Sequence, residues 1–149
     1  MRKWLFAGAA IGAIAIGSYT YLNQRAIKVF AAHHGTYTAE ILVDHLPLSA
    51  AASIDWWLKN QHEILSKYHI RSSDDGGPVY ITVFAFGDGY KEEEKKDRRC
   101  FSDVEPPKNC IDKDILMTIN RTRSGETRFN FEYSSYLKTH DGKIVKTDD

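Results

Sequence analysis

The chain has 149 residues, 20 of them Lys or Arg and 20 Asp or Glu, so its formal charge is zero with neutral histidines. That length points to one domain, and the charge balance excludes the clustered, uncompensated basic surface of a broad nucleic-acid interface. Hydrophobic residues at 42% with aromatics at 12% exclude a disordered chain, while two cysteines exclude a dense disulfide scaffold and a four-cysteine zinc site.

Trp4 to Leu22 reads WLFAGAAIGAIAIGSYTYL, 19 residues without a charge. At ~1.5 Å per residue a helix of this length just crosses a hydrocarbon core of ~30 Å. Arg2 and Lys3 precede it, and Arg25 and Lys28 follow. The positive start favours a cytoplasmic N-terminus, a bias that the later pair weakens. Trp4, Tyr19 and Tyr21 fall near the two headgroup layers. The expectation is a single inner-membrane span, N-in and C-out, touching the lipid bilayer through residues 4–22. Residues 1–25 form the anchor and residues 26–149 a periplasmic domain.

Two alternatives stand beside the anchor. A cleaved signal peptide would use Ala15-Ile16-Gly17 as its small-x-small site, although the apolar run continues through Leu22. A buried helix would lack a polar face. Gly8 and Gly12 form a G-x-x-x-G, which lets two membrane helices approach closely and suggests a homodimer. In a segment this rich in Gly and Ala, such spacings also arise by chance.

Export suits the cysteines. Cys100 and Cys110 enclose a short loop with Pro106 and Pro107, and an oxidising compartment would close it as a disulfide. The first 28 residues carry four basic and no acidic residues, which leaves 16 basic and 20 acidic residues in the exported part. That part is mildly acidic, and it begins almost at the membrane surface.

Ile27 to Ala32 predicts a strand that His33-His34-Gly35 breaks, and Thr36 to Val43 its hairpin partner. From Ser49 to Tyr68 the period becomes helical: Ile54, Trp57, Leu58, Ile64, Leu65 and Tyr68 make one apolar stripe, with Ser49 or Ser53 as cap. Ser72 to Pro78 is a turn-rich connection. Val79 to Phe86, VYITVFAF, is apolar on both faces, as in an interior strand covered on both sides. Ile115 to Arg121 and Thr127 to Tyr133 flank a hairpin turn at Arg123–Glu126, with Phe129, Phe131 and Tyr133 facing the core. Tyr136–Lys138 and Lys143–Lys146 predict a final ribbon. The order ββαββββ indicates an α+β domain, one main helix on a mostly antiparallel sheet.

Reaction motifs are absent. His33 and His34 are neighbours that a strand would point apart, and His62 and His69 stand two helical turns apart, too far for one ion. Exposed, uncoordinated histidines are expected. Asp112, Asp114, Asp103 and Glu105 do not follow the EF-hand pattern and read as a solvated loop. Lys91 to Arg99, KEEEKKDRR, nearly cancels its own charge and reads as a solvated face, or as an arm offering charges to a partner. No catalytic, cofactor-binding or metal residue is assigned. Trp56 lies off the apolar stripe. It is either covered by a loop or exposed as a partner anchor, and then Asn60 and Glu63, one and two turns on, share its surface.

IDWWLKN, HEILSKYHI, FAFGDGYKEE, DRRCF and PPKNCID, in this order, resemble an enterobacterial family of small membrane proteins of unknown function. The likeness spans roughly residues 1–147 and implies an inner-membrane anchor with an exported domain; it carries no activity and no catalytic residue. The expected function is a non-enzymatic protein-binding module with a protein partner in the envelope, for instance an immunity-type inhibitor of a toxin. The alternatives are an accessory subunit of an envelope complex and a small hydrolase without a recognisable motif.

Overall fold

The uncharged N-terminal run is helical. In the computed structural model, which describes residues 2–147, α1 spans Arg2–Gln24. None of its window from Lys3 to Gln24 is buried, and Leu5, Phe6, Ile11, Ile14 and Ile16 face outward. The helix is long and apolar enough to cross a membrane, and it packs on no core of its own chain. The buried-helix alternative therefore fails.

α2 (Ala50–Lys67) begins where Ser49 caps it: the Ser49 hydroxyl accepts from the Ala52 N–H at 3.1 Å. Its far end closes as a Schellman motif. The Ile70 N–H donates to the Leu65 carbonyl and the His69 N–H to that of Ser66, with His69 left-handed at φ 57°. Asn23, in the last turn of α1, accepts from both the N–H of Ser49 at 3.0 Å and its hydroxyl at 3.2 Å. Arg25 adds an ion pair to Asp44. The domain thus starts at the helix end without a tether.

Seven strands form the main sheet: β1 (Val29–His34), β2 (Thr38–Val43), β3 (Tyr80–Ala85), β7 (Ile115–Arg121), β8 (Thr127–Asn130), β9 (Ser135–Lys138) and β10 (Ile144–Thr147). They lie side by side in that order. Every neighbouring pair is antiparallel except β2 and β3, which run parallel because α2 carries the chain back between them. A second sheet of β4 (Lys91–Glu92), β6 (Lys108–Asp112) and β5 (Arg98–Cys100), in that spatial order, was not expected. The architecture is α+β, with four strands more than the ββαββββ order.

The alternation along VYITVFAF now has its cause. Ile81 and Val83, with Ile41, Val43, Met117, Ile119 and Phe129, pack on Ile54, Trp57, Ile64 and Leu65 of α2. Phe84 and Leu42 point the other way onto Phe101 and Ile111 of the small sheet. Two cores sandwich the middle of the main sheet, and each fully buried Ile or Phe contributes roughly 1.5–3 kcal/mol.

Two local expectations are corrected. His33 and His34 do not break β1 but complete it, paired with Glu40 and Ala39, and the turn waits for Gly35. Tyr133 does not continue the alternation of β8. The strand ends at Asn130, the Phe131 N–H donates to the Ser134 carbonyl, and the Tyr133 ring is 90% exposed in that turn.

Candidate binding site

The cluster with the most catalytic-looking chemistry is built around His33. Its imidazole is 8% exposed and stacks on Phe101, with ring centroids 4.0 Å apart. Nδ1 donates to the Asp103 carboxylate at 2.6 Å, and Nε2 is hydrogen-bonded to the Tyr90 hydroxyl at 2.8 Å. Beside it Arg99 donates to the buried Glu40 at 2.7 Å and lies over the Phe101 ring. Burial pushes the Asp103 carboxyl up, but the hydrogen bond and charge of His33 outweigh it and hold the group below its ordinary range. Burial, then the nearby Asp103, pushes the Tyr90 hydroxyl up. Both imidazole nitrogens are engaged within the protein, so the triad works as a clamp between β1 and the small sheet. The expected exposure of the histidines fails at His33, which is buried, and at His45, which is half-buried.

A cleft of about 590 Å³ opens at the opposite end of the sheet from the α1 junction. Its floor is the end of the larger core: Trp57, Leu65, Ile81 and Ile119. Gln61 and His62 of α2 make one wall, residues 71–79 a second, and the turns after β7 and β9 the third, with Arg121, Glu126, Lys138 and His140. Leu65 lies 16 residues along α2 from Ser49, hence ~24 Å from the membrane-side end. Close packing shapes the second wall. A Cβ on Gly77 would stand 1.9 Å from the Arg71 carbonyl oxygen, so only glycine lets these two backbones touch. Arg121 pairs with Asp74 at 2.9 Å, and Glu126 accepts from Ser124. Among the described residues Arg71 and Lys138 have no ion-pair partner, and neither His62 nor His140 is hydrogen-bonded to a carboxylate.

Residues 1–148, from the apolar helix through the last strand, match the family described as "Enterobacterial putative membrane protein (DUF943)". The chain belongs to this family. No curated protein and no solved structure matches it. The family resemblance carried by IDWWLKN and the cysteine-containing motifs thus holds over the whole chain.

In this DUF943 protein the disulfide expectation is met. Cys100 and Cys110 face each other across β5 and β6 and are bonded. KEEEKKDRR supplies β4 and β5, and Lys91, Glu94, Asp97, Arg98 and Arg99 form ion pairs, while residues 92–97 stay exposed as a solvated face. Lys91 and Arg98 both donate to Asp112, at 2.8 and 2.9 Å, and Lys113 to Asp97. Those two bonds hold the Asp112 carboxyl down at about 2. Asp103 and Asp112 are therefore held by separate partners, His33 for the first and Lys91 with Arg98 for the second. Among the described residues no three His, Cys, Asp or Glu side chains converge as metal ligands.

Trp56 is half-buried and packs against the larger core beside Trp57, centroids 6.1 Å apart. Asn60 donates to the Trp56 carbonyl at 2.8 Å, and Glu63 is exposed. The three share a face of α2, on which only Glu63 is fully presented. Sequence reasoning missed Arg71, Arg121, Lys138 and His140. Their signal was topological: each adjoins a turn, and antiparallel pairing brings the turns after β7 and β9 to one end of the sheet.

Proposed function

We propose that this DUF943 protein is a non-enzymatic binding module. It is held in the inner membrane through residues 4–22, with its domain in the periplasm, where it engages a protein partner of the envelope. The cleft carries this reading. It is preformed and of ordinary ligand-site size, yet its two imidazoles lack the hydrogen-bonded carboxylate that would orient a general base. Of the His–carboxylate pairs among the described residues, His33 with Asp103 is committed to a clamp, and His45 with Asp44, 2.9 Å apart, to the junction with α1, where Arg25 also pairs with Asp44. Arg2 and Lys3 ahead of the span support the N-in orientation, and the Cys100–Cys110 bond suits an oxidising compartment. An immunity-type inhibitor of a toxin is one concrete form. The accessory-subunit form draws support from the Asn23–Ser49 bonds, which couple the membrane helix to the domain directly.

Fractionation, intact mass and site-directed photo-crosslinking test the proposal together. The expected product is the uncleaved chain in the inner membrane, with one protein crosslinked from position 61 in the cleft. A soluble product starting near Ser18 overturns the anchor. A crosslink from position 63 alone keeps the binding role and moves the interface to the Trp56–Asn60–Glu63 face. Crosslinks from neither position overturn the binding role.

A further inference from the structure

We infer that the cleft receives an acidic segment of a protein partner; this rests on the protein-binding reading and names the chemistry of its occupant. The domain beyond residue 28 has 16 basic and 20 acidic residues, yet the cleft concentrates Arg71, Arg121 and Lys138 against Asp74 and Glu126. Because Asp74 is taken up by Arg121, the charges left for a guest are Arg71 and Lys138 against the single acid Glu126, a net positive balance. A positive concavity in an acidic domain focuses its field on incoming anions.

The placement of these two cations on separate walls of the cleft favours a chain over a single carboxylate. Arg71 is packed against Gly77 just ahead of β3, whereas Lys138 stands on β9, three strands away in the sheet order β3-β7-β8-β9. The two stand on separate walls of a cleft of about 590 Å³, more room than one small carboxylate fills and natural for an acidic polypeptide. The apolar floor between them, at Leu65, Ile81 and Ile119, suits an aliphatic side chain among the acids. The cleft also lies ~24 Å along α2 from the Ser49 end that Asn23 of α1 holds.

The test uses the full chain in phosphatidylcholine nanodiscs and a fluorescent nonapeptide of eight glutamates around one leucine. Controls are the same peptide with lysines for glutamates, and free glutarate. The glutamate peptide is expected to bind, to weaken as salt rises from 50 to 300 mM, and to lose at least tenfold in affinity in the Arg71→Glu/Lys138→Glu variant. Lys59→Glu, outside the cleft, should change affinity less than twofold. Thermal melting of each variant checks the fold, and Arg71→Gln/Lys138→Gln, which removes charge without reversing it, should lose about threefold. The inference is overturned by no binding at 1 mM, by equal binding of the lysine peptide, by a folded cleft variant of unchanged affinity, or by glutarate binding as tightly as the peptide. A partner crosslinked from position 63 alongside a silent acidic peptide removes this inference and spares the binding role.

Discussion

His33 on edge strand β1 and Asp103, 70 positions later, meet at 2.6 Å. With Tyr90 on the other ring nitrogen, the imidazole joins the edge of the main sheet to two segments of the small one. Replacing His33 with Leu keeps the stacking volume but leaves the Tyr90 hydroxyl without its partner, a loss of about 1–3 kcal/mol in chemical denaturation. Asp103→Asn should cost less than about 1 kcal/mol, because the carboxylate is 61% exposed and water screens it. Equal losses from both substitutions would assign the stabilisation to the ion pair instead of the buried ring.

Acid should weaken the small sheet. Asp103 and Asp112 titrate below their ordinary 3.8 in the folded chain, Asp112 at about 2. Each therefore favours folding in its ionised form. That contribution is complete above about pH 4 and is lost as the pH falls towards 2. Melting temperature followed from pH 5 to pH 2 should decline, and Asp112→Asn should flatten the decline. An unchanged acid limb in that variant would refute the assignment.

The main sheet and α2 were legible in the sequence because each carries its own period. The stripe from Ile54 to Tyr68 repeats at helical spacing, and VYITVFAF is apolar on both faces because two cores flank it. The small sheet carries no such period. Arg98-Arg99-Cys100 becomes a strand through distant partners: the Cys110 pairing is legible from the short cysteine loop, but Asp112 and Glu40 are not. The cleft was hidden for a related reason. Arg71, Arg121 and Lys138 sit beside three separate turns and meet only once strand order is known.

His69 offers a stabilising change. It occupies the left-handed position after α2 at φ 57°, where a Cβ is disfavoured. Its ring is exposed, so little packing is lost on truncation. His69→Gly should raise stability by about 0.5–1 kcal/mol, after the greater backbone freedom of glycine in the unfolded chain is taken into account. A lower melting temperature would mean that the imidazole contributes an interaction larger than the relieved strain.

The two adjacent tryptophans should separate by degree. Trp57 is 2% exposed under both the sheet and the cleft floor, so Trp57→Ala should cost about 3–5 kcal/mol. Trp56 is half-buried, and Trp56→Ala should cost about 1–2 kcal/mol, with Asn60 still bonded to the backbone carbonyl. A Trp56 variant that melts like wild type yet loses its partner would restore that face of α2 as the interface.

Gly77 tests the link between packing and the cleft. Any Cβ there would collide with the Arg71 carbonyl at 1.9 Å, and the Ser72 carbonyl oxygen lies next at 2.7 Å. Both are backbone atoms, so no side chain can rotate away and residues 71–79 must move as a piece. Gly77→Ala should cost about 1–3 kcal/mol through this displacement. The shift should also carry Arg71 out of the cleft wall, so the glutamate peptide should bind more weakly than the stability loss explains. Gly76→Ala is the control. Its Cβ meets nothing within 4 Å, and its φ of 82° makes the substitution strained without moving Arg71. If both variants lose the same stability and both keep peptide affinity, the 71–79 wall does not form the site.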